Sequence, residues 1–115
     1  MLNDLARKIY AFNVTMGWHK DPTPNLAHFL MNLHAEVSEL WEAWRNHKLG
    51  EPCDKAAKMV EHGIEPLTCI EEEIADILIR TLDTTHAFNV DLDRVVAAKM
   101  AYNATRGHRY GGKAA

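Results

Sequence analysis

No acidic residue follows Asp93 in this chain, no apolar run approaches the length needed to cross a membrane, and cysteine occurs only at Cys53 and Cys69. Each scarcity excludes something. Neither cysteine has a Cys-x-x-Cys partner, which suits reduced thiols and argues against a zinc site or a disulfide framework. Met1 to Tyr10 already carries Asp4, Arg7 and Lys8, so no signal peptide is visible and a cytoplasmic protein without membrane contact is expected. The seven histidines show no metal-ligand spacing with one another. Asp83 with His86 alone does not make a di-iron site, which needs Glu-x-x-His on two helices. Gly111, Gly112 and Lys113 lack the earlier glycine and the following Ser or Thr of a phosphate-binding loop. No internal repeat or low-complexity segment interrupts the chain.

What is there suits one soluble domain spanning residues 1–115, with 47% hydrophobic and 25% charged residues. The net charge of −3 hides an asymmetry. All sixteen acids lie at or before Asp93 with eight of the thirteen bases, so that part carries −8, while Arg94, Lys99, Arg106, Arg109 and Lys113 give the rest +5. Glycines 107, 111 and 112 interrupt the basic tail, residues 107–115, and no recognition-helix pattern accompanies it. Nucleic acid is therefore not the expected partner; a small polyphosphate fits the charge as well.

Hydrophobic periodicity predicts an all-α domain of four to five helices in a bundle-like arrangement. A first helix over 3 to about 16 carries Leu5, Ile9 and Phe12 on one side. Gly17, Pro22 and Pro24 make a turn, and Thr23 before Pro24 has the pattern of an N-cap and first helical residue for a long helix to about Lys48. Gly50 and Pro52 stop it. Residues 51–67 read as a variable connection, with a short helix between Asp54 and His62. Thr68 and Glu71 have capping-box spacing before a third helix to about Ala87, and Asn89 or Asp91 can cap a fourth carrying Leu92, Val95, Val96 and Met100.

Leu26, Leu30, Leu33, Val37, Leu40 and Trp44 recur at steps of three and four and are expected to be core. Ile70, Ile74, Ile77, Leu78 and Leu82 do the same for the third helix. Along the edge of the first stripe run Asn32, Glu36, Glu39 and Ala43, and no base lies within a helical turn of the two acids. Either solvent or a cation relieves their repulsion. On the third helix Glu72, Glu73, Asp76, Arg80 and Asp83 occupy the far side, with Arg80 placed to reach Asp76. Glu36/Glu39 and Glu73/Asp76 are thus acid pairs three apart, each on one helical face. Carboxylates without His or Cys favour hard cations such as Mg²⁺, with Mn²⁺ possible, over zinc.

The segment Ala35-Glu36-Val37-Ser38-Glu39, followed by Glu73-Ile74-Ala75-Asp76, resembles the paired acidic motifs of the MazG-like all-alpha nucleoside triphosphate pyrophosphatases. Lys99, Asn103, Arg106 and the final Gly-Gly-Lys are similar to that family's closing segment, so the likeness covers roughly residues 26 to 113. Ala35 stands where the family's first motif usually opens with another Glu, and the connection between the motifs is longer here. The resemblance implies a Mg²⁺-dependent hydrolase that cleaves (d)NTPs to the monophosphate and pyrophosphate, for nucleotide-pool housecleaning. It implies Glu36, Glu39, Glu73 and Asp76 as metal ligands, and Lys99, Asn103 and Arg106 as contacts to phosphates or sugar. Lys113 and Asn32 are further candidates for touching substrate. Glu39 and Glu72 are both candidates for the general base.

Trp44 is expected in the core, and Trp18 is the tryptophan placed to lie nearest a ligand. Met31 and Ile79 fall off the core stripes, so a homodimer or homotetramer is expected to cover them. The alternatives are a phosphoribosyl-ATP pyrophosphohydrolase-like enzyme and a helical binding or assembly module without activity.

Overall fold

The computed structural model describes residues 1–21 and 23–115; Pro22, one of the prolines of the expected turn, lies outside them. The regular elements are all helical: α1 Leu2–Thr15, α2 Leu26–Arg45, α3 Ala56–Glu61, α4 Cys69–Ala87, α5 Leu92–Thr105 and the single turn α6 Arg109–Gly112. The all-α expectation holds.

Local chemistry sets most boundaries. Thr68 accepts from the Glu71 backbone N–H while the Glu71 carboxylate accepts from that of Thr68, closing the expected capping box of α4. The start of α2 is a correction. Asn25, rather than Thr23, accepts from the His28 N–H, because the Thr23 N–H is turned back onto the Asp21 carboxylate at 2.9 Å. Pro24 therefore precedes the helix. Helices α1 and α5 cap each other: Asp93 accepts from the N–H groups of Leu2 and Asn3 at 2.8 and 3.1 Å, and Asn3 Oδ1 accepts from Leu92 and Asp93 at 2.8 and 3.2 Å.

The connection over 51–67 is more ordered than its sequence suggests. Cys53 N–H donates to Leu67 and Cys69 N–H to Glu51, at 2.9 and 2.8 Å, so the segment is clasped to the start of α4. Buried Cys53 and Ala56 anchor the clasp, α3 follows, and Gly63, at φ +69°, turns the chain back.

Helix α4 lies between α1 and α2, packing along both, and α5 rests against α1. The result is an open layer with extents of 49 × 40 × 26 Å and a radius of gyration of 17.0 Å. A closed domain of this length has about 13 Å.

The expected core is not buried within one chain. Leu26, Leu30, Val37 and Trp44 of α2 are exposed, as are Ile70, Ile74 and Leu78 of α4 and Leu5 and Phe12 of α1; Leu33, Leu40, Ile9 and Ile77 are half-buried. Leu82 is the member of these stripes that is fully enclosed. The residues turned inward are instead Glu36, Glu72 and Asp83, with Ala6, Cys53, Ala56 and Leu82. The helices have the expected amphipathic pattern. The packed face of α2 is the neighbouring strip of Asn32, Leu33, Glu36 and Leu40, and most of the apolar stripes of α2 and α4 are left without an intramolecular helix to cover them.

Candidate functional site

Helices α2 and α4 meet through their acids. One carboxylate oxygen from each of Glu36, Glu73 and Asp76 lies within 4.8 Å of the others. Glu36 is 9% exposed, and its two oxygens have different fates. Arg80 Nε donates to Oε1 at 3.3 Å, while Oε2 is buried with no hydrogen-bond partner. Oε2 of Glu73 is orphaned in the same way. Buried polar atoms are seldom left unpaired, and both of these oxygens are acceptors without a donor.

The electrostatics agree. Burial and the neighbouring Glu39 push the Glu73 carboxyl up to about 7, with Glu72 and Asp76 adding to the effect. Glu39 is also raised, by burial and by Glu36. Asp76 is raised by burial and by the charges of Glu36 and Glu72, against the pull of Lys55 and Arg80. An all-oxygen donor set of this charge fits a hard divalent cation, Mg²⁺ or Mn²⁺.

Two cations border the acids, and neither pairing was legible beforehand. Arg80 was expected to reach Asp76 one turn away on its own helix; it crosses to Glu36 on α2 instead, where a buried carboxylate has more need of a donor. Lys55 reaches Glu72 from the 51–67 clasp, a segment expected to be variable. The Glu72 carboxylate in turn holds Lys55 protonated well above its usual range.

Glu36, Glu39, Glu72 and Asp76 line a cavity of about 410 Å³ that also takes in Trp18. A second cavity, of about 300 Å³, shares Trp18 and Arg80 with the first and extends over Tyr10, His28, Phe29 and Asn32. In its wall His19 Nε2 donates to both oxygens of buried Asp83, at 3.0 and 2.9 Å. The imidazole is stacked between Tyr10, at 4.5 Å, and Phe29, at 5.3 Å. His19 adopts φ +61°, a left-handed conformation that costs about 1 kcal/mol or more for such a residue. The Asp83 bond and the stacked rings offset that cost. Asp83 thus pairs with a residue 64 positions away, a partnership with no local signal in the sequence.

Of the other candidates, Trp18 lies where the two cavities meet, and Asn32 belongs to the second. Lys99, Asn103, Arg106 and Lys113 line neither cavity. Lys99 and Arg106 sit over the Tyr102 ring, at 5.1 and 5.6 Å, and Arg106 donates to Asn103. Lys113 borders a separate hollow with Arg109 and Tyr110. The expected tail loop contains the short turn α6, with Tyr110 and Gly111 at left-handed φ. Both cysteines are free thiols, as expected, and no helix of the described residues is long and apolar enough to cross a membrane. Compared with protein-family models, curated proteins and solved structures, the chain matches none of them.

Proposed function

We propose that the chain is a divalent-metal-dependent nucleoside triphosphate pyrophosphohydrolase of the MazG-like kind that its acidic motifs resemble, acting on (d)NTPs. The observation that carries this reading is the convergence of Glu36, Glu73 and Asp76 from two helices around orphaned carboxylate oxygens. Glu36, Glu73 and Asp76 would hold Mg²⁺, with Glu39 beside them. The bound ion supplies charge neutralisation for the phosphates and acidifies water. Glu39 faces the same cavity without a cation bonded to it, whereas Glu72 is engaged by Lys55. Glu39 is accordingly the better base for the water that attacks the α-phosphate, to release monophosphate and pyrophosphate. The adjoining cavity, with Trp18 at its edge and Tyr10, Phe29, His28 and Asn32 around it, suits the nucleoside end of the same molecule.

Assembly belongs to this proposal. The chain exposes 8755 Å², against roughly 6,300 Å² for a closed monomer of its mass. Two copies each hiding that excess of about 2,500 Å² would bury on the order of 5,000 Å², within the span of obligate dimers. The exposed stripes of α2 and α4 are the surfaces to be hidden, so a second copy would complete the bundle, as a homodimer or a pair of dimers. The phosphate contacts expected of Lys99, Asn103, Arg106 and Lys113 require an arrangement in which α5 and the tail reach an acid cavity, which another copy can supply.

The test is incubation with standard and modified nucleoside triphosphates and Mg²⁺, with detection of monophosphate and pyrophosphate. Magnesium-dependent pyrophosphate release from at least one nucleotide is expected. A folded protein that releases none from any nucleotide overturns the proposal in favour of a binding or assembly module.

A further inference from the structure

Lys55 is the one basic side chain that the 51–67 connection delivers to the acid cavity. Its backbone is held between buried Cys53 and Ala56, and the clasp hydrogen bonds fix that stretch against the first turn of α4. Its side chain is nevertheless 64% exposed, and it ends on Glu72, whose side chain is 11% exposed. An ammonium open to solvent therefore rests on a nearly enclosed carboxylate. The same cavity gathers Glu36, Glu39 and Asp76, and Arg80, already bonded to Glu36, is the other cation on its wall.

We propose that Lys55 is a tethered counter-ion that competes with the divalent cation: it holds the acids of α2 and α4 together before metal enters and opposes the metal's charge as it arrives. The inference rests on the metal-site reading above. Its physical basis is that an ammonium beside a carboxylate cluster relieves like-charge repulsion, whereas the same ammonium near a dication repels it. Lys55 is a positioning residue in this scheme. Because it is carried by the clasp, a displacement of residues 51–67 would change metal affinity without touching a ligand.

The test is Mn²⁺ binding by calorimetry, without nucleotide, together with thermal unfolding of the metal-free and Mn²⁺-saturated proteins. Lys55→Met should bind Mn²⁺ roughly three- to tenfold more tightly than wild type, an effect limited by solvent screening of an exposed lysine. Lys55→Arg, which keeps the charge, should stay near wild type. Metal-free Lys55→Met should melt lower, and saturating Mn²⁺ should close the gap. A gain in affinity is not a consequence of structural damage, so it separates competition from a merely structural contact. Unchanged or weaker Mn²⁺ binding by Lys55→Met, with wild type binding normally, overturns the role of Lys55 and leaves the metal site standing. A wild-type protein that binds no Mn²⁺ removes the metal site and the role of Lys55 with it; Lys55→Gln serves as the second neutral variant should Lys55→Met fail to fold.

Discussion

Along α2 a buried acid stands beside a largely exposed apolar stripe, the reverse of what is usual for a helix in a monomer. Glu36 is turned into the protein, while Leu30, Val37 and Trp44 stand in solvent. On α4 the same is true of Glu72 and Asp83 against Ile70, Ile74 and Leu78. Burying carboxylates while leaving leucine and tryptophan wet is unfavourable taken alone. The difference sets out what the proposal has to explain: an acid face with buried carboxylates, which a bound cation would relieve, and an apolar face in solvent, which a second copy would cover.

Breaking the acid face should have the largest consequence. Asp76→Asn and Glu39→Gln should each lower turnover by roughly 10²- to 10⁴-fold, the weight of a lost charge-stabilising or proton-accepting group. Circular dichroism should be unchanged, and metal-free Asp76→Asn should melt no lower than wild type, since it removes one member of a repelling cluster. Full activity in either variant would end its assignment to the site.

A charge on the apolar face should act differently. Val37→Asp or Trp44→Asp should weaken self-association by about 2 kcal/mol or more if these residues lie at the centre of the interface, and sedimentation would show the shift toward smaller species. Wild type sedimenting as a monomer at micromolar concentration would break the comparison at its root.

A smaller effect comes from pH. Glu73 is raised from 4.5 to about 7 in the folded protein. Between those values the folded state holds a proton that the unfolded chain has released. Its contribution to stability is therefore complete below the lower value and is lost as pH rises through the upper one. Glu39 and Asp76 shift in the same direction. Glu71, Asp91 and Asp93 are held below their usual range by hydrogen bonds at helix starts, so their contribution is present above the unfolded values and fades only in acid. The metal-free protein should accordingly lose on the order of 1 kcal/mol between pH 5 and pH 8, after allowance for screening, while Mg²⁺ affinity rises over the same window. Denaturant titrations at the two pH values would show it; equal stability would place the cluster in open solvent.

The smallest change in stability should follow deletion of residues 107–115, whose turn α6 contacts the end of α5. If the basic tail serves the acid face, the truncated protein should lose nucleotide binding or turnover several-fold with little change in melting temperature. An unchanged rate and KM would leave the charge asymmetry without a role in the reaction.

The helices, the capping box at Thr68 and the two acid pairs were legible in the sequence because each depends on residues within a turn or two of one another. Amphipathic periodicity says that a helix has two faces and which residues share each. It is silent on which face is covered within the chain, because that depends on whether another helix is within reach of the apolar stripe. Only the tertiary structure decided that α4 meets α2 through Glu36, Glu73 and Asp76, that Arg80 leaves its own helix to bond Glu36, and that His19 and Lys55 arrive from a turn and a connection. Those partnerships join residues 17 to 64 positions apart. Chain topology brings them together, and at such separations no local propensity records which charge will answer which.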